Sequence, residues 1–143
     1  MVKRLLVLSI IFFVVTGCTA QEDEKGTAFK LQEAAGHGQE ASDRLKMELI
    51  AMDEVLSVRG IQYHEDLVMA VHVKQLDRFR LKAVRKEAFD RIKALYPDAT
   101  IHISTDKKIY KELEDAEEQI KDKHFTEDEL KKKIKVIEKH LKG

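Results

Sequence analysis

The chain of 143 residues contains one cysteine, and its setting points to covalent chemistry. Cys18 closes the run Val15-Thr16-Gly17-Cys18, directly after an apolar stretch from Leu5 to Val15 that only Ser9 interrupts. Lys3 and Arg4 stand ahead of that stretch. A positive start, an apolar core of about 7–15 residues and small residues at the cut are the marks of a secretory signal peptide. A membrane-spanning helix needs about 20 apolar residues, more than this run supplies. Val-Thr-Gly-Cys fits the bacterial lipobox, in which the thiol takes a diacylglyceryl group and a peptidase then cuts before the Cys. Small Gly17 leaves that bond accessible. The expectation is a signal peptide over 1–17 and a mature lipoprotein of 126 residues starting at lipidated Cys18. Acyl chains such as palmitate would hold it on the outer face of the cell membrane, each buried methylene adding about 0.8 kcal/mol. Acylation would also use the one thiol, leaving none for a disulfide, a thiolate metal site or a nucleophile.

Histidines are the next groups with chemical range. His72 and His102 are the best pair, because alternation along a strand turns both away from the Ile/Val side. Two imidazoles do not make a zinc site, which takes three or four ligands. They are weak metal candidates, read more simply as exposed rings on a solvated sheet face. Glu112, Glu114, Asp115, Glu117 and Glu118 crowd one helix. Acid–base catalysis needs carboxylates held in a cleft with displaced pKa values, whereas such a run on a highly charged helix reads as a solvent-facing surface. Neither a Gly-x-Ser-x-Gly elbow nor a Gly-rich phosphate loop is present. No catalytic residue, no enzyme activity and no cofactor are expected.

Charge is close to balanced, with 26 basic and 26 acidic side chains, so nothing favours nucleic acid as a partner. Its distribution is uneven. From Lys74 to Lys93 eight basic residues face Asp77, Glu87 and Asp90, a local net charge of +5. Arg78, Lys82, Arg85, Lys86 and Lys93 fall broadly on one side of a helix. They form a surface suited to anionic headgroups or wall polymers, set against the plainer reading of a solvated face with local ion pairs.

These groups need elements to position them. Residues 18–40 read as the lipidated Cys and a flexible tether, polar around Gln21 to Gly26 and broken by Gly36-His37-Gly38. Ser42 reads as the N-cap of a first helix carrying Leu45, Leu49 and Met52. Val55–Tyr63 and Leu67–Lys74 read as strands joined by a turn at His64-Glu65-Asp66. A helix from Asp77 to Leu95 shows the stripe Leu81, Val84, Ala88, Ile92 and Leu95 and stops before Pro97. Thr100–Ser104 is a third strand, parallel to the second if they are neighbours, because a helix joins them. Ser104-Thr105-Asp106 caps a helix striped by Ile109, Leu113, Ala116 and Ile120. A capping box, Thr126 with Glu129, opens a last helix striped by Leu130, Ile134, Ile137 and Leu141. The fold class is therefore α+β. A small three-stranded sheet in α-β-β-α-β order, residues 41–105, has one apolar face covered by helices, and a charged two-helix tail occupies 106–143.

From about Leu45 to Leu113 the pattern resembles the sporulation lipoprotein family named after YhcN and YlaJ of spore-forming bacilli. The lipobox and polar tether carry part of the likeness. The hairpin Val55-Leu56-Ser57-Val58 and Leu67-Val68-Met69-Ala70-Val71-His72-Val73 carries another. The third part is Ile92-Lys93-Ala94-Leu95-Tyr96-Pro97 leading into Ile101-His102-Ile103-Ser104-Thr105-Asp106. The resemblance implies a spore-associated lipoprotein bearing on spore formation or germination, and brings no catalytic residues. The reading is a non-enzymatic interaction or structural module, lipid-anchored to a spore membrane, whose exposed sheet face and helical tail meet a protein partner or another copy. The alternative is an extracytoplasmic lipoprotein that binds a metal or a wall fragment.

Overall fold

The computed structural model describes residues 27–28, 30–31, 38–122 and 125–142. Cys18 and the signal-peptide reading, like His37 and His124, lie outside the described residues. The elements run β1 (Thr27–Ala28), α1 (Glu40–Ile50), β2 (Val55–Tyr63), β3 (Asp66–Val73), a 3₁₀ turn (Gln75–Arg80), α2 (Leu81–Leu95), β4 (Thr100–Ser104), α3 (Lys107–Lys121) and α4 (Glu127–Lys142). The fold is α+β, with one mixed sheet of four strands in the order β1-β2-β3-β4 rather than the three expected. β2 and β3 form an antiparallel hairpin through His64 and Glu65, where His64 takes φ +51°. β1–β2 and β3–β4 are parallel, the second pair as the helical crossover requires.

Local signals place most elements. α2 buries Val84, Ala88 and Ile92 and ends at Leu95, two residues before Pro97. Asp106 caps α3, its carboxylate accepting from the Lys108 and Ile109 N–H groups. The Thr126–Glu129 box closes as read: the Thr126 N–H donates to Glu129 (2.8 Å) and the Glu129 N–H to the Thr126 hydroxyl (3.3 Å). α1 differs. It starts three residues early, behind Gln39, so Ser42 is buried inside the helix instead of capping it. The Gln39 side chain is held by β2 and sets the start of the helix from outside its own sequence.

Two expectations are corrected. The sheet has no bare face, because α1 and α2 cover one side and α3 and α4 the other. Leu67, Met69, Val71 and Val73 pack with Leu45, Leu49, Val84, Ala88 and Ile92. Val68 and Ala70, on the opposite side of β3, pack with Ile61, Ile109, Leu113, Ile134 and Ile137. The unbroken apolar run Leu67 to Val71 is the pattern of a strand buried on both faces. The charged tail is thus the second covering layer. The tether reading also fails over its described part, since Thr27–Ala28 extends the sheet and Leu31 is fully buried in the second core. A two-residue strand and a lone leucine carry no periodic signal, and their partners supply the burial.

Candidate functional site

The two edges of the sheet end differently. β1 covers β2 only at Ser57 and Val58. Beyond it, side chains take over the backbone groups of β2. Gln39 accepts from the Gln62 N–H (2.9 Å) and donates to the Gln62 carbonyl (2.7 Å). Glu117 accepts the Gly60 N–H (2.8 Å). A Cβ at Gly60 would fall on the Met69 thioether, which would have to move.

Around Glu117 lies a buried charge network. Lys46, fully buried, bridges Glu117 (2.8 Å) and Asp43 (3.1 Å). Arg59 reaches Glu117 (2.9 Å) and Glu114 (2.8 Å), and Lys111 neutralises Glu114 from outside (2.9 Å). Asp43 also accepts the Leu31 N–H (2.6 Å), tying the N-terminal segment to α1. Burial works against the charge on Arg59, but the Glu117 hydrogen bond and charge outweigh it and raise its pKa. The hydrogen bond from Lys111 holds Glu114 below its ordinary 4.5. Glu117 is thus no member of a solvated acidic face. Because Lys46 from α1 and Arg59 from β2 neutralise it, its burial is possible. Lys46 and Asp43 escaped sequence reasoning. The available signal was a lysine flanked by Leu45 and Leu49 on the apolar side of α1.

The other edge is open. No described strand pairs with the outer side of β4, and a groove of about 1250 Å³ runs along it. Ile101, His102, Ile103 and Ser104 form its floor. One wall comes from the 3₁₀ turn and α2, with Phe79, Lys82, Arg85, Lys86 and Phe89. The other wall comes from the start of α3 and the end of α4, with Lys108, His140, Leu141 and Lys142. Phe79 is 99% exposed and Phe89 39%, unusual for phenylalanine in a small domain. Six lysines and arginines line the groove against one carboxylate, Asp106, which caps α3. Lys86 is paired with Asp90, Arg80 with Glu54 and Lys108 with Glu112. Lys82, Arg85 and Lys142 have no carboxylate partner among the described residues.

The structure therefore gathers Lys82, Arg85 and Lys86 from the expected basic surface and leaves out two members. Arg78 is exposed on the 3₁₀ turn away from the groove. Lys93 is half-buried and donates to the Ala99 carbonyl (2.9 Å), bracing the loop after α2. The histidine pair separates. His102 lies opposite Val68, and His72 lies four residues further along β3, roughly 13 Å away at the usual rise per residue. His102 meets Glu138 (3.3 Å), while His72 packs edge-on against Tyr110 (5.8 Å between ring centres). No group of three His, Cys, Asp or Glu side chains suited to a metal occurs among the described residues.

Comparison with protein-family models, curated proteins and solved structures finds no match to this chain. Among the described residues, no helix is long and apolar enough to cross a membrane.

Proposed function

We propose that this chain is a lipid-anchored, non-enzymatic interaction module on the outer face of a spore-forming bacterium's membrane, with a role in spore formation or germination. Val-Thr-Gly-Cys after a short apolar run supports the anchor, and the YhcN/YlaJ-type resemblance supports the association with spores. The observation that carries the binding role is the groove along β4, with a strand edge for its floor and cations and exposed phenylalanines in its walls. Such a surface recognises and holds a partner by shape and charge.

The test uses spores expressing the full chain. Labelling with a fatty-acid analogue should mark the wild type and not Cys18→Ala, which should also keep its signal peptide uncleaved. Crosslinking from spore membranes should trap a protein that is lost in Lys82→Glu/Arg85→Glu. Equal labelling of Cys18→Ala would overturn the anchor, and unchanged crosslinking in the double variant would overturn the groove. A second reading, capture of an anionic wall fragment, is favoured by Lys82, Arg85 and Lys142, which have no carboxylate partner among the described residues. Retention of the soluble domain on purified wall, reversed by salt, would support it.

A further inference from the structure

Resting on that reading of the groove, we propose that β4 accepts a fifth strand: an extended, acidic peptide segment of a partner protein adds to the sheet along Thr100–Ser104.

The backbone supplies the first argument. The Thr100 N–H donates to the Glu65 carbonyl (2.9 Å), and Thr100 pairs with Asp66 in a parallel ladder. In such a ladder alternate residues turn both backbone groups to the same neighbour. Thr100, His102 and Ser104 therefore face β3, and the N–H and C=O of Ile101 and Ile103 face the groove. An added strand meets these four groups at the usual 4.7–4.9 Å spacing. The four floor residues span roughly 13 Å, room for a short added strand.

Side chains decide what kind of strand fits. Lys82, Arg85 and Lys142 offer positive charge from both walls and select acidic residues. Phe79, Phe89 and Leu141 offer apolar surface for the residues between them. The same charges argue against a second copy. Edge-to-edge pairing of two β4 strands would bring Lys82, Arg85 and Lys86 against their own counterparts, and like charges at close range repel. A lipid headgroup or polyphosphate would satisfy the cations, yet leave the strand edge and the phenylalanines unused.

The experiment uses the full chain in neutral detergent and a labelled peptide alternating acidic residues with valine (Glu-Val-Asp-Val-Glu-Val-Asp). The acidic peptide should bind, and a version with lysines at the acidic positions should not. Lys82→Glu/Arg85→Glu should weaken binding about tenfold or more. Saturating peptide should slow amide hydrogen exchange at Ile101 and Ile103 by about tenfold or more, with little change at His102, already bonded to β3. Binding without slowed exchange at Ile101 and Ile103 would overturn strand addition while leaving the groove as a binding surface. Binding unaffected by the double variant would overturn both strand addition and the groove reading. No binding at millimolar peptide overturns the proposal. So does concentration-dependent dimerisation lost in the double variant, which favours a second copy. Attachment to phosphatidylglycerol vesicles in place of the peptide also overturns it, in favour of a lipid surface.

Discussion

The edge of β2 and the edge of β4 pose the same physical problem and are treated in opposite ways. An unpaired strand edge is a row of donors and acceptors ready to pair with another chain. At β2 the problem is solved internally. β1 takes two positions, Gln39 and Glu117 take the next groups, and Lys46 and Arg59 neutralise the carboxylate that results. At β4 nothing described covers the edge, and positive charge flanks it. Charge placed beside an edge discourages indiscriminate pairing while leaving the edge reachable by a complementary strand. One edge is committed to holding the fold, and the other, on the proposal above, is kept for contact.

The difference is testable through stability. Glu117→Ala should be the most damaging change, because it takes a buried carboxylate from Lys46 and Arg59 and frees the Gly60 N–H. A loss of about 3–5 kcal/mol is expected by denaturant unfolding. The neighbouring exposed residue supplies the control, with Glu118→Ala changing stability by under about 0.5 kcal/mol. Equal effects at the two positions would break the contrast between a sealed and an open edge.

Ile134→Asp probes the layer between the edges. Ile134 is 1% exposed in the second core, so the buried carboxylate should lower stability by about 2–4 kcal/mol. A melting temperature equal to the wild type's would mean that α4 does not cover the sheet in solution.

Gln39→Ala sharpens the comparison at the sealed edge itself. It leaves the Gln62 N–H and carbonyl without their side-chain partner, and a loss of about 1–3 kcal/mol is expected. Faster amide exchange at Gln62 should accompany it, and unchanged exchange would show that the seal is not Gln39.

Thr126→Ala removes a cap remote from both edges and should lower stability by about 1 kcal/mol. The hydrogen bonds from the Thr126 N–H and hydroxyl hold the Glu129 carboxyl below its ordinary 4.5. A carboxylate with a depressed folded pKa contributes stability that is present above its unfolded pKa and is lost as pH falls through the folded value. Stability measured across that acidic range should therefore fall less steeply in Glu129→Gln than in the wild type.

The smallest effect belongs to the open edge. Lys82→Glu/Arg85→Glu should alter stability by under about 0.5 kcal/mol, because both side chains are exposed and hold no partner among the described residues. A large loss would show that these cations belong to the fold, and the division of labour between the edges would fail.

Much of this architecture follows from short-range pattern. The stripes at Val84, Ala88 and Ile92 and at Leu130, Ile134 and Ile137 identify two helices and the sides they bury. The hairpin, the Asp106 cap and the Thr126–Glu129 box are likewise local, because each depends on residues a few positions apart. Tertiary structure alone decided the rest. Whether a carboxylate in the run Glu112 to Glu118 is solvated or buried depends on what lies opposite, and Arg59, which meets Glu117, is 58 positions away. The same holds for Leu31, for the second covered face, and for the groove that selects Lys82 and Arg85 while leaving Arg78 outside. Periodicity reports which side of an element is apolar. It carries no information about which side meets which, so buried charge, edge pairing and grooves between elements emerge only when distant segments pack.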